Sequence, residues 1–220
     1  MTPFAFKRLS LTVLASALLL GTLPACVPLI IGGAIAGGSL VATDRRTSGA
    51  QLEDEGIELR GMSRVRSGVG ERAHVNLTSY NRQVLLTGEV PNAQDKQQVE
   101  QSIAKVENVV SVVNELTVMG NSTLTQRSSD ALVTGRVKSV LVDTPDIFSN
   151  AFKVVTERGT TYLMGRVTQR EADRGTAVVR ATPGVQKVVR IFEVITEEEL
   201  IKISPTPAKP PPARARADGG

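Results

Sequence analysis

Thr78-Ser-Tyr-Asn-Arg-Gln-Val-Leu-Leu-Thr-Gly-Glu-Val90 decides the reading of this chain, because it recurs. Val155-Thr-Glu-Arg-Gly-Thr-Thr-Tyr-Leu-Met-Gly-Arg-Val167 lies over it without a gap. Leu86 meets Leu163, Gly88 meets Gly165 and Val90 meets Val167. In each copy a short turn, Asn81-Arg82 or Arg158-Gly159, separates two runs of strand-forming residues, the pattern of a β-hairpin. The shared glycine, Gly88 or Gly165, marks a close backbone approach as the second strand leaves the sheet.

A second pair of segments extends the repeat. Val109-Val-Ser-Val-Val-Asn-Glu-Leu-Thr-Val118 lies over Val185-Gln-Lys-Val-Val-Arg-Ile-Phe-Glu-Val194, with Leu116 meeting Phe192. The offset falls by one residue between the two blocks, so one copy is a residue shorter. Such self-similarity means one unit used twice. Outward from the hairpin, the spacing predicts a leading helix over Leu52–Ser67 in one copy and Ser129–Val142 in the other. Leu132, Val133, Val137, Val140 and Leu141 recur there at helical spacing. Ser129 or Asp130 is the expected cap. Strands are expected over His74–Tyr80 and Gln83–Val90, and over Phe152–Glu157 and Thr160–Val167.

A second helix follows each hairpin. Thr168-Gln-Arg-Glu171 has the form of a capping box, and Asn92-Ala-Gln-Asp95 is a weaker version. Val99, Ile103 and Val106 give that helix an apolar face, and Pro183-Gly184 ends it in the second copy. A last strand, Val109–Val118 or Val185–Ile195, closes the unit. The order α-β-β-α-β predicts an α+β fold used in tandem. Each copy has a small three-stranded mixed sheet covered on one face by two helices.

The chain ends read differently. Lys7 and Arg8 precede the apolar run Leu9–Leu20, which is too short for the ~20 residues of a spanning helix, so Met1–Ala25 is expected to be an export signal. Leu23-Pro24-Ala25-Cys26 resembles a bacterial lipobox, which implies cleavage before Cys26 and acylation of its thiol and new amino group. An ordinary signal with an incidental cysteine is the alternative. Val27 is not the Asp that favours inner-membrane retention, so the expectation is the outer membrane, inner leaflet. Gly-rich Pro28–Ala42 is expected to be a tether (a self-associating glycine-zipper helix is the other reading), and residues 197–220 a Pro-rich disordered tail.

Composition narrows the function. Aromatic residues make up 3% with no Trp, too few for base-stacking platforms, so no nucleic-acid partner is expected. One His (His74) and one Cys are poor material for a disulfide scaffold, a metal site or a catalytic triad. No enzymatic constellation, cofactor or metal is expected, and His74 reads as an ordinary strand residue. The formal charge of +4 arises at the chain ends: without them the chain holds 21 basic and 21 acidic residues. The copies divide that neutrality unequally. Leu52–Val118 has 7 basic and 10 acidic residues, and Arg127–Ile195 has 11 and 7.

The hairpins ending in Leu86-Thr-Gly88 and Leu163-Met-Gly165, with the Val-x-x-Val-Val-x-x-(Leu/Phe)-x-Val runs, resemble the BON domain family. The resemblance implies domains at 51–119 and 128–196 with a linker at 120–127. Lipobox, Gly-rich tether and two copies in that order are similar to its dual-domain outer-membrane lipoproteins. Thr43-Asp44-Arg45-Arg46, Lys153-Val-Val-Thr-Glu157 and Tyr162-Leu-Met-Gly165 strengthen the likeness. It implies that the leading helix of the second copy docks on anionic phospholipid of the phosphatidylglycerol type. The family role would be outer-membrane integrity, at the division site. The basic second copy suits such headgroups, and an apolar tip flanked by cations is an interfacial pattern. The candidate residues are Leu132, Val133, Arg136, Lys138, Ser139 and Val142, with Cys26 as the lipidation site. The alternative is an adaptor for an envelope protein, an assembly factor or amidase regulator, bound through the acidic first copy and its exposed sheet face.

Overall fold

The computed structural model describes residues 44–203. Cys26, the export signal and the tether lie outside the described residues, as does the tail beyond 203. The first unit runs α1 (Ser48–Gly68), β1 (His74–Tyr80), β2 (Gln83–Val90), α2 (Ala93–Ile103), β3 (Ser111–Asn114) and β4 (Thr117–Val118). The second runs α3 (Leu124–Asp143), β5 (Phe152–Glu157), β6 (Thr160–Thr168), α4 (Gln169–Arg180) and β7 (Lys187–Ile195), followed by a short helix α5 (Glu197–Ile203).

In each sheet the central strand pairs antiparallel with its hairpin partner and parallel with the last strand, so both sheets are mixed. The register locates the missing residue. Gln83 pairs with Ser111, whereas its counterpart Thr160 pairs with Lys187, so the second copy is shorter between hairpin and last strand. The expected strand Val109–Val118 is broken into β3 and β4, where the Asn114 side chain turns back to accept from the Leu116 amide. Its counterpart β7 runs unbroken.

The hairpin turns are built alike. Asn81 and Arg82 both have positive φ (49° and 68°), as do Arg158 and Gly159 (48° and 72°), the geometry of a type I′ turn. Three of these four residues pay the steric cost of a side chain there, and a buried carboxylate offsets it. Asp54 of α1 accepts from the amides of Asn81 and Arg82 at 2.7 and 2.8 Å. Asp130 of α3 accepts from those of Arg158 and Gly159 at 2.9 and 3.0 Å. This corrects the expected role of Asp130 as a helix cap. Thr123 caps α3, which starts at Leu124, inside the expected linker. The capping box Thr168–Glu171 forms as expected. A second one, Thr196 with Glu199, starts α5, so the disordered tail cannot begin at 197.

Alternation along the strands sorts the core into three layers. Val84 and Leu86 pack with Ile57, Val65, Val99 and Ile103 under α1 and α2. Val154, Leu163 and Val167 pack with Val133, Val137, Leu141 and Val179 under α3 and α4. The intervening residues face the opposite way and meet each other. Tyr80 and Leu85 of one sheet join Tyr162, Met164 and Ile191 of the other in a third cluster. The two sheets therefore pack face to face with helices outside, and β2 and β6 are buried on both sides. This overturns the expectation that the sheet face of the first copy is open to a partner.

A Cβ on Gly88 would lie 2.0 Å from the His74 carbonyl oxygen, and one on Gly165 would lie 2.3 Å from that of Ala151. Both clashes are with backbone, as the close approach requires. Gly135, on the open side of α3, has nothing within 4 Å. Thermal or denaturant unfolding should show Gly165→Ala destabilised by about 2 kcal/mol or more. Gly135→Ala should instead gain up to ~1 kcal/mol from helix propensity.

Candidate functional site

Helix α3 repeats α1 at an offset of 76 residues. The buried residues of α1 are Asp54, Ile57, Gly61 and Val65, and those of α3 are Asp130, Val133, Val137 and Leu141. Val133 thus occupies the core position of Ile57. It is 5% exposed, and a Cβ on Gly184 would come within 2.6 Å of its Cγ2. This removes Val133 from the expected docking residues: its side chain points at the sheet.

The other five stay on the surface. Leu132 and Val142 are 64% and 66% exposed, and Arg136, Lys138 and Ser139 are exposed with them. At positions i, i+4, i+7 and i+10, Leu132, Arg136, Ser139 and Val142 form one stripe along the outer side of α3. Neither Arg136 nor Lys138 has an ion-pair partner among the described residues; Arg136 reaches only the Pro183 carbonyl, at 3.5 Å. The corresponding positions of α1 are Gly56, Arg60, Ser63 and Arg66, and Arg60 is held by Glu53 at 2.6 Å. The apolar pair flanked by free cations belongs to the second copy alone.

A cleft of about 420 Å³ opens beside this stripe, between α3 and the seam of the two sheets. Lys138, Val142, Leu141 and Phe152 line it from the second copy, and Arg46 and Tyr80 from the first. Phe148, in the loop after α3, adds a 59% exposed ring at the same end of the helix. Sequence reasoning passed over it because loop residues have no periodicity to read.

The segment Asp44-Arg45-Arg46, quoted above only for its likeness, binds the units together. Arg45 makes a bidentate pair with Glu171, 2.7 Å on both arms, with side chains 6% and 1% exposed. Arg45 also donates to the Arg166 carbonyl and lies over the Phe148 ring. Arg46 bridges Asp44 and Asp54 and lies 4.4 Å over the ring of Tyr80. Further bonds cross the seam: Asn81 to Glu193 at 2.7 Å, Asn76 to Glu157 at 2.9 Å and Lys153 to Glu58 at 2.7 Å.

His74 is more than an ordinary strand residue. Its Nδ1 lies 3.0 Å from Glu89 Oε2 and 3.2 Å from Ser122 Oγ. Both contacts converge on one ring nitrogen, so the imidazole cannot relay a proton from serine to carboxylate as a catalytic triad does. Glu89 also accepts from Arg158 Nε and the Ser122 amide.

These carboxylates titrate in opposite senses. Burial opposes ionisation of Asp54, Glu89 and Glu171. The hydroxyl, amide and guanidinium donors around them outweigh it and hold all three below the usual range. Burial dominates at Glu157, which has Asn76 as its hydrogen-bond donor, and pushes it up.

A family model described as the BON domain matches residues 62–120 and 129–196. The chain belongs to the BON-domain family and carries the domain twice in tandem. It is 36% identical over 197 residues to a Haemophilus influenzae protein named Outer membrane lipoprotein DolP, covering 89% of this chain and 100% of that one. It is 29% identical to a 21 kDa hemolysin of Actinobacillus pleuropneumoniae, covering 69% and 79%. Among solved structures it is similar to CdsD, a structural protein of the type III secretion system of Chlamydia trachomatis. That likeness has 14% identity and a TM-score of 0.28, covering 64% of this chain and 96% of that one.

A depressed folded pKa contributes stability above the unfolded value that is lost as pH falls through the folded one. Glu89 and Glu171 should therefore drive acid unfolding below about pH 4.5, the ordinary glutamate value, and Asp54 below about pH 3.8, the ordinary aspartate value. Glu157 acts in reverse: its contribution is present below that value and lost as pH rises through its raised pKa. In chelator-containing buffer, Glu157→Gln should raise Tm at pH 7 and lose that advantage toward pH 4, whereas Glu171→Gln should lower Tm at pH 7.

Proposed function

We propose that this chain is a non-enzymatic, outer-membrane lipoprotein anchored through acylated Cys26 and facing the periplasm. On this reading, α3 of its second BON domain docks on anionic phospholipid. The observation that carries the docking is the outer stripe of α3. Leu132 and Val142 stand exposed at its two ends, with Arg136, Lys138 and Ser139 between or beside them and no carboxylate among the described residues pairing either cation. Two aliphatic side chains can enter the headgroup boundary while the cations meet phosphate, each worth about 1 kcal/mol near an anionic surface. The homologous helix of the acidic first copy has Gly56 and Arg66 in place of Leu132 and Val142, so the property does not follow from the fold.

The similarity to a protein named as an outer-membrane lipoprotein supports the location, and the lipobox at Cys26 supports the anchor. Among the described residues no helix is long and apolar enough to cross a membrane. Phosphatidylglycerol is the headgroup the family resemblance implies, and support of membrane integrity at the division site is the role it implies. The adaptor alternative loses its sheet face to the seam.

Flotation of residues 44–220 with vesicles tests the docking. Binding should require phosphatidylglycerol and weaken from low to physiological salt. Leu132→Glu should reduce it at least ten-fold with unchanged circular dichroism. Val133→Glu should instead unfold the domain, because its side chain is in the core. Equal binding to zwitterionic vesicles, or full binding by the folded Leu132→Glu variant, would remove α3 from the site.

A further inference from the structure

At the opposite end of the seam from Arg45, the two units bring together His74, Glu89 and Glu157. One donor atom from each lies within 4.8 Å of the others. From His74 Nδ1 the distances are 3.0 Å to Glu89 Oε2, 3.8 Å to Glu157 Oε1 and 3.2 Å to Ser122 Oγ. An ion about 2.0–2.2 Å from tetrahedral nitrogen and oxygen donors needs those donors roughly 3.2–3.6 Å apart. The two separations from the imidazole nitrogen to the carboxylates, 3.0 and 3.8 Å, bracket that span, and the two carboxylate oxygens lie within 4.8 Å of each other.

The local charge calls for a cation. Glu89 is completely buried and already has Arg158 on Oε1, while Oε2 accepts from the Ser122 amide and faces the imidazole. Glu157 has no such counterion. Its side chain is 9% exposed, Asn76 holds Oε2, and Oε1 faces His74 beyond hydrogen-bond distance. Asp130, which faces the same cleft, is spent on the hairpin turn. Of the cations on neighbouring elements, Arg158 is committed to Glu89 and the Gly120 carbonyl, and Arg127 to Ser122. The two carboxylates Glu89 and Glu157 face one guanidinium, that of Arg158, which pairs with Glu89 alone. A cleft lined by His74, Asn76, Asp130 and Glu157 gives solvent, and an ion, a way in.

We propose that His74, Glu89 and Glu157 form a divalent transition-metal site, of zinc type, that clamps the two BON domains together. One imidazole nitrogen with two carboxylates suits Zn²⁺ better than Mg²⁺ or Ca²⁺, which prefer all-oxygen shells. Two ligands come from the hairpin β1–β2 and the third from the end of β5, so binding is linked to closure of the seam. Sequence alone hides the site, because its one histidine has no partner within a short motif.

The test is calorimetric titration of ZnCl₂ into the full chain in detergent micelles, with Tm followed in parallel. One ion should bind per chain and raise Tm, and EDTA should reverse the shift. His74→Ala and Glu157→Gln should each weaken that binding at least ten-fold while keeping native circular dichroism. Substituting Co²⁺ should give visible bands without a thiolate charge-transfer band, separating this site from binding at Cys26. No saturable binding, a thiolate band, or Zn²⁺ affinity unchanged in both folded variants would overturn the proposal.

Discussion

The layer shared by the two sheets, Tyr80 and Leu85 from one and Tyr162, Met164 and Ile191 from the other, determines which surfaces this molecule has left to offer. A three-stranded sheet with helices on one side leaves an apolar face that must be covered. Here each copy covers the other. Burying such side chains contributes about 1.5–3 kcal/mol apiece, so neither domain can present this face to a partner without losing much of that gain. Partners, lipid included, must then meet the helices, the loops or the rim of the seam.

The rim is as specified as the centre. Apolar contact sets no unique register between two flat faces, whereas Arg45–Glu171 at one end and Arg158–Glu89 at the other each allow a single geometry. Removing one partner of a buried pair strands the other charge, which is costly even where the intact pair adds little net stability. Arg45 follows the Gly-rich segment in sequence, so the two halves are fastened at the very start of the described residues. Arg45 also reaches the loop that follows α3 in the second copy, through its contact with the Phe148 ring.

The fold was legible because the repeat could be read twice. Each hairpin and capping box was checked by its counterpart, and the shared glycines proved to sit against carbonyl oxygens 2.0 and 2.3 Å from where a Cβ would be. Asp130 was misread because an acidic residue near a helix start has the chemistry of a cap, and only the tertiary structure shows its carboxylate bound to a turn 28 residues away. Val133 was misplaced for a similar reason. The helical spacing lets Val133 face the sheet with Val137, Val140 and Leu141, yet it adjoins Leu132 in the apolar run and was counted with the docking residues; the match with Ile57 of the first copy decides for the core. The stripe of Leu132, Arg136, Ser139 and Val142 was visible in the helical spacing, but that no carboxylate among the described residues pairs with Arg136 or Lys138 was not. The seam itself left no periodic signal beyond strands apolar on both faces, and the residues of the His74 cluster are too far apart in sequence to form a motif.

Hydrogen–deuterium exchange of residues 44–220, alone and with phosphatidylglycerol vesicles, tests the central claim most directly. The account predicts that β2 and β6 exchange slowest in both states, because the sheets shield each other. It also predicts that vesicles slow exchange in the α3 segment 132–142 and leave α1 unchanged. Fast exchange in β2 or β6 without lipid, or protection appearing in α1 instead of α3, would contradict it.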